Sequence, residues 1–461
     1  MMRLSKFSEK YINNSFSLYF KCLLILSVLP VIFFKLSGFF SGFGFYIINS
    51  NLILILQKII IFSLIVGISI PTLIILLSII SGLNRKLIAN FFPFLNYFTI
   101  FGLIAYLLIQ VFSFSAVVFL FLNEIAGLKL IFVIIGISSS LGLVYVFPPI
   151  IKGVFKFSKV IYIPVIGVVL NNKDHSEIFS FIKKISKSIN SKDPKNIVVS
   201  MSTDFYAISK DINVFNGVNK VLLKDETIHI SLPLLRILTI KELEGIIGHE
   251  LGHFEGDDTL YAIKFAPIYR RLNQQFLELE KFFEKKENTK SLFIKLAVYP
   301  IILLFNEFTR KEEKISKAQE LKADNFGAKT SGGSLTFINA LSKIYIYGMI
   351  WSETEDDFRE MVKGKNFNSI KNLSLKFMEN AKILLDKKKL LQYLEGIQYY
   401  EQLHPSDTHP NLEQRMKNLN IDIKELSNEE LTNFTPSAAS LIPKIDIIEQ
   451  NLTLVLKELE K

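Results

Sequence analysis

The chain has 461 residues, half of them apolar (50%), with 41 phenylalanines and a positive mean hydropathy of +0.34, an excess that predicts membrane segments rather than a wholly soluble protein. The net charge of +10 arises within residues 1–160, which hold twelve Lys/Arg and only two acids, Glu9 and Glu124; a basic excess flanking apolar runs is a topology signal, and it argues against nucleic acid as a partner. The single cysteine, Cys22, excludes an intramolecular disulfide, a redox pair and a cysteine-based metal site.

Residues 1–15 are polar and mildly basic. Four apolar runs follow, each long enough to span a bilayer. The first is Phe16–Phe40, with Lys21 and Lys35 snorkelling. The second is Ile59–Ile80, with Pro71 as a kink and Arg85 and Lys86 just beyond. The third is Tyr97–Leu122, and the fourth is Leu130–Ile151 after the turn bracketed by Glu124 and Lys129. Lys152, Lys156 and Lys159 close the region. The basic clusters lie before the first run, between the second and third, and after the fourth. The positive-inside rule then places the N-terminus and everything after Lys152 in the cytoplasm. The runs carry no acid in their interiors, which disfavours a proton- or ion-coupled transporter.

Beyond Lys159 the pattern is that of a folded domain. Val160–Leu170 is apolar and β-branched, suited to a strand or to the membrane surface, and Ser176–Ile189 has helical spacing. Asn196–Met201 and Val221–Ser231 read as strands around polar turns such as Asn216-Gly217. Thr239, with Glu242 three residues on, forms a capping box. Leu243, Ile246, Ile247, Leu251 and Phe254 give the helix that follows its apolar stripe, and Gly256 is the expected stop.

Within that helix lies Gly248-His249-Glu250-Leu251-Gly252-His253, of the form H-E-x-x-H. Two histidines four residues apart share a helix face, so both imidazoles can bind one zinc ion, and the glutamate between them can handle the proton of an activated water. A solvated pair of helical histidines is the alternative, but an apolar stripe of this kind places the helix in a core, where unpartnered imidazoles are costly.

Gln274–Lys290 is charged and helical, and 291–308 is apolar but interrupted by Lys295 and Pro300; it is expected to lie on or dip into the membrane. Arg310–Lys329 is a charged helix ending near Gly332-Gly333. On it Glu320 and Asp324 lie one turn apart, so one can bind the metal while the other accepts a hydrogen bond from a ligand histidine. Ser334–Met349 is amphipathic or buried, with Trp351, Tyr345 and Tyr347 expected in a core, and Asp356–Glu401 is mostly helical. His404–Pro410 forms a turn before the helix Asn411–Leu419; a linker near Thr435–Pro443 and an amphipathic helix complete the chain. His175, His229 and His404 read as structural or exposed histidines.

Three stretches in order, Thr239–Phe254, then Glu320-x-x-Ala323-Asp324, then Asp407-Thr408-His409-Pro410-x-Leu412-x-x-Arg415, resemble the membrane-bound gluzincin peptidases of the HtpX-like and CaaX prenyl protease-like kind. The resemblance covers about residues 165–420, with Gly248 standing where that family usually has Ala. It implies a zinc metalloendopeptidase with His249, His253 and Glu320 as metal ligands and Glu250 as general base. Asp324 would orient a ligand, and His409 and Arg415 would lie near the site, His409 as a stabiliser of the oxyanion.

The expected architecture is therefore mainly α with a small β-sheet. Residues 1–159 form about four transmembrane helices, 160–420 a gluzincin-type zinc metalloprotease domain, and 421–461 a C-terminal linker and amphipathic helix. The expected cofactor is zinc and the expected partners are a protein or peptide substrate and membrane lipid. The expected protein is multi-pass in a bacterial inner or cell membrane, with its catalytic domain cytoplasmic and a role in membrane-protein quality control. Narrow processing of prenylated proteins and a catalytically silent zinc scaffold are the alternatives.

Overall fold

The computed structural model describes residues 27–28, 31–32, 35, 50–81, 98, 101–102, 105–106, 108–110, 112–113, 163–209, 211–254, 316–364, 370–386, 390 and 410–460. These fall into two compact units: residues 27–113 belong to one, and 163–254 with 316–460 to the other. The fourth expected span, the apolar stretch 291–308, Gly256, His404 and His409 lie outside the described residues.

In the first unit α1 (Ser50–Ser81) is a 32-residue helix that covers the second expected span. Polar contacts join α1 to Gln110 and join two of the other described residues to each other. Ser63 Oγ donates to Gln110 Oε1 at 2.9 Å, Gln110 Nε2 donates to the Ser63 carbonyl at 2.7 Å, and Ser27 and Tyr106 share a hydrogen bond of 3.2 Å. The side chains of only part of α1 are described, and among the described residues no helix is long and apolar enough to cross a membrane.

The second unit begins with β1 (Ile163–Val169), followed by α2 (Ser176–Ser188), β2 (Asn196–Ser200), β3 (Tyr206–Ile208), β4 (Ile212–Phe215), β5 (Lys220–Leu223) and β6 (Thr227–Ser231). The strands form one mixed sheet in the order β3-β6-β2-β1-β4-β5. β1 pairs antiparallel with β2 and parallel with β4, and β2 pairs parallel with β6. The segment Val221–Ser231, expected as one strand, is two strands separated by a turn at 224–226, because β5 and β6 lie at different places in the sheet. The Asn216-Gly217 turn forms as expected: Asn216 Oδ1 accepts from the amides of Val218 and Asn219 at 3.1 and 2.8 Å, and Gly217 takes φ +97°.

Helices cover one face of this sheet. α3 (Leu232–Leu235) leads into α4 (Ile240–Gly252), the helix of the H-E-x-x-H motif. α5 (residues 316–331) carries Glu320 and Asp324, and α6 (Ser334–Lys363) is the longest helix among the described residues of the unit. α7 (Leu373–Asp386), α8 (Leu412–Asn418), α9 (Asn428–Thr432) and α10 (Ile445–Glu460) follow. One apolar core joins Ile197 and Ile228 of the sheet, Ile182 of α2, Ile247 of α4, Phe337 of α6 and Leu452 of α10. The C-terminal segment is docked into the same core, with the expected amphipathic helix as α10. Trp351 is buried in this core, edge-on to Phe377 at 5.5 Å. His229 is buried and structural: Nδ1 meets the Asp204 carbonyl at 3.0 Å, Nε2 meets Ser200 Oγ at 2.9 Å, and the ring stacks on Tyr206 at 4.3 Å.

Candidate metal centre

α4 starts where the sequence places it. Thr239 Oγ1 accepts from the Glu242 amide at 3.3 Å, while Glu242 Oε2 accepts from the Thr239 amide at 2.7 Å, closing the capping box. It ends at Gly252, with His253 as the capping residue, earlier than the expected stop at Gly256.

Three glycines set how closely α5 approaches α4. A Cβ on Gly245 would sit 2.9 Å from Ser331 Cβ, one on Gly252 2.8 Å from the Phe326 ring, and one on Gly248 2.0 Å from Thr330 Oγ1 and 2.8 Å from Thr330 Cβ. Thr330 occupies the space that Gly248 leaves and donates its hydroxyl to the Glu244 carbonyl at 2.9 Å. The departure at Gly248 is therefore an accommodation of Thr330, and it was not visible in the motif itself. This contact helps seat Glu320 beside the two histidines.

The resulting constellation is compact. His249 Nε2 lies 3.4 Å from Glu320 Oε2, and His253 Nε2 lies 3.3 Å from Glu320 Oε1. One ligand atom from each of His249, His253 and Glu320 lies within 4.8 Å of the others, an arrangement able to hold a metal ion. Bonds of about 2.0–2.2 Å to a tetrahedral ion put neighbouring donor atoms roughly 3.3–3.6 Å apart, so the two observed spacings fit zinc or a similar cation. His249 and Glu320 are buried, whereas the His253 side chain keeps 24% of its surface exposed and marks the open side.

Behind the histidine pair is a buried support. Asp324 Oδ1 lies 3.0 Å from His249 Nδ1, and Arg415 Nε donates to both Asp324 oxygens at 3.1 Å. Arg415 Nη2 also lies 3.3 Å from His249 Nδ1. Both nitrogens face the same acceptor, so the consistent tautomer has Nδ1–H donating to Asp324 and leaves the Nε2 lone pair on the Glu320 side. The Arg415 guanidinium comes from α8, whose cap is Asn411 and whose Asn418 donates to the Leu321 carbonyl of α5 at 2.9 Å. Phe337 braces the rear: its ring stacks on His249 at 5.8 Å and lies 5.8 Å from the Arg415 guanidinium carbon. As an apolar residue on a buried helix, Phe337 gave no signal of this place in the sequence.

The electrostatics follow from this packing. Burial disfavours charge on His249 and is the largest single influence, but Asp324 and then Glu320 outweigh it and lift the imidazole to about 9. Burial likewise opposes the Asp324 carboxylate, yet Arg415 and His249 hold its pKa below the ordinary value. The two carboxylates thus favour a positive charge at the His249 ring, which a proton on Nε2 or a metal ion in its place can supply.

All the described site residues expected from the sequence are placed: His249, Glu250, His253, Glu320, Asp324 and Arg415 gather around α4 and α5. His409 is outside the described residues, one position before Pro410, whose carbonyl accepts from the Tyr345 hydroxyl at 3.3 Å. The sequence model of Peptidase family M48 matches residues 172–422, more than half of the chain. The chain belongs to peptidase family M48. Proteins with similar sequences include the protein named Protease HtpX homolog of Bacteroides fragilis strain YCH46, 28% identical over 185 residues, or 38% of this chain and 54% of that protein. A protein of the same name in Thermococcus sibiricus is 28% identical over 183 residues, covering 38% of this chain and 59% of that protein. Another in Pyrococcus furiosus is 33% identical over 119 residues, 24% of this chain and 39% of that protein. The chain spans about half the length of the first two of these relatives. No solved structure is significantly similar.

Proposed function

We propose that this chain is an integral-membrane, zinc-dependent metalloendopeptidase that cleaves protein substrates with its active site facing the cytoplasm, in membrane-protein quality control. The observation that carries the reading is the His249–His253–Glu320 cluster, its histidines carried by the capped, buried α4 and its glutamate by α5, backed by Asp324 and Arg415, in a chain of family M48. The four apolar runs of residues 1–159 and their flanking basic clusters support the membrane setting and the orientation.

A zinc ion held by His249, His253 and Glu320 would supply Lewis acidity, lowering the pKa of a water and polarising the scissile carbonyl. The chain's own residues do the rest. Glu250, buried on α4 between the histidines, is the general base: its carboxylate accepts the proton of the attacking water and returns it to the leaving amine. Asp324 holds the His249 ring through Nδ1, and Arg415 holds Asp324 ionised. His409 is assigned as a donor to the developing oxyanion. An extended peptide would add as a strand at the β3 side of the sheet, where β3 is the last strand among the described residues.

The test compares bound zinc and casein cleavage in the wild type and Glu250→Gln. The variant is expected to keep zinc and lose cleavage by at least about a hundredfold. Full activity in the variant would remove Glu250 from the mechanism, and a wild type that holds zinc without cleaving any peptide would favour the scaffold reading.

A further inference from the structure

Lys343 on α6 is fully buried, and the mechanism does not use it. Its Nζ lies 2.8 Å from the Glu242 carboxylate, the group that closes the capping box of α4. The same ammonium donates to the Asn433 carbonyl and lies 5.5 Å from the centre of the Phe434 ring. From there the chain runs along the start of α4. The Pro436 carbonyl accepts from the Ile240 amide at 3.0 Å, and the Ala438 amide donates to the Leu238 carbonyl at 2.9 Å. Ser437 Oγ donates to the Leu235 carbonyl at 3.2 Å, and Ser437 bridges Thr239 as an isolated strand pair. Further on, Arg236 ties α10 down through Asp446 and through Glu449, which also accepts from Asn372 at 2.8 Å. The family match stops at residue 422, so every one of these C-terminal partners lies beyond it.

The first amides of a helix have no partner within it. In α4 the Ile240 amide is satisfied by Pro436 and the Glu242 amide by Thr239. The C-terminal segment thus supplies part of the cap, and Lys343 locks the other part by pairing with Glu242. His249 and His253 are carried on the same helix, between two and four turns further on. A tilt or fraying at Thr239 would move both imidazoles relative to Glu320, which sits on a different helix.

We propose that residues 423–460 are a built-in brace for the metal-binding helix and that Lys343 is the positioning residue through which the brace and the cap of that helix are joined. The proposal deepens the zinc-peptidase reading, but its first test does not depend on it.

The full chain is purified with chelator, and amide hydrogen exchange is read across residues 240–252. Ala438→Pro deletes the amide that bonds Leu238 at a site whose preceding residue, Ser437 (φ −66°, ψ 135°), tolerates a following proline. Exchange in α4 is expected to rise by about tenfold while β2 and β6 keep their protection. Unchanged protection of α4 overturns the proposal. The second readout is zinc affinity by competition with a chromogenic chelator. Lys343→Met leaves Glu242 buried without its partner and is expected to weaken zinc by about tenfold. The double variant Lys343→Met/Glu242→Gln, which leaves neither charge behind, is expected to regain most of that loss. Equal zinc affinity in wild type, Ala438→Pro and Lys343→Met also overturns the proposal. If Lys343→Met does not fold, Ala438→Pro decides. If the wild type binds no zinc, the functional reading fails while the exchange result still decides the brace.

Discussion

Two buried side chains, Asp324 and Arg415, hold the first of the two histidines in place. Asp324 is the hinge, because it accepts from His249 and is paired to Arg415 from another helix. Asp324→Asn keeps the shape but removes the charge, leaving the Arg415 guanidinium buried without its main partner. We expect a loss of about 3 kcal/mol in stability and a 10- to 100-fold loss of zinc affinity, read by thermal melting and chelator competition. Retention of both would mean that Asp324 neither orients His249 nor balances Arg415. A second residue sets an acid limit on the fold. Burial lowers His229 from the usual 6.5 to about 4, against the Asp204 carbonyl that favours its charge. Below 6.5 the unfolded chain binds a proton that the folded chain refuses until about pH 4, so stability falls as pH drops through that window. The loss approaches about 3 kcal/mol. Urea midpoints between pH 7 and 4 should show it, and His229→Gln should flatten that part of the profile; a wild-type profile flat from 7 to 4 would contradict the assignment.

At the scale of elements, the seating of α5 on α4 is the least forgiving contact. A Cβ at Gly248 would overlap Thr330 at both Oγ1 and Cβ, so no rotation of the threonine side chain alone clears it. Gly248→Ala is expected to cost about 1–3 kcal/mol, despite the better helix propensity of alanine. Gly248→Ala/Thr330→Ala should recover most of that, less the hydrogen bond from Thr330 to the Glu244 carbonyl. Denaturant midpoints of the two variants check this, and a stable single variant would show that the helices can separate without loss. The contrast with what the sequence made plain is physical. The start of α4 was legible because a capping box and an apolar stripe are local patterns, complete within one helix. Glu320 and Asp324 were legible as a one-turn pair, but which of them faces the metal side depends on α8 and Arg415, ninety-one residues from Asp324. Thr330 against Gly248, Phe337 behind His249 and Pro436 on Ile240 are contacts between distant segments and leave no periodic trace. The sheet was only half legible: β1 read equally well as a membrane-surface stretch, and short strands such as β3 and β4 give too few alternations to stand out.

At the scale of the whole molecule, two kinds of order meet within a few residues. The basic excess ends with Lys152, Lys156 and Lys159, and β1 begins at Ile163. In the membrane reading proposed above, the unit that begins at β1 would therefore follow the side that those lysines take. Three separate basic clusters, at residues 3–10, at Arg85 and Lys86, and at 152–159, agree on one side. Fusion of an export-dependent phosphatase after residue 160 should therefore give an inactive reporter, whereas fusion within the turn between Glu124 and Lys129 should give an active one. Replacing Lys152, Lys156 and Lys159 together with Gln in the fusion at residue 160 should raise reporter activity, because the orientation then rests on the two remaining clusters. An active phosphatase at residue 160 in the unaltered sequence would place α4 on the outer side and end the cytoplasmic assignment, while leaving the proposed chemistry of His249, Glu250, His253 and Glu320 untouched.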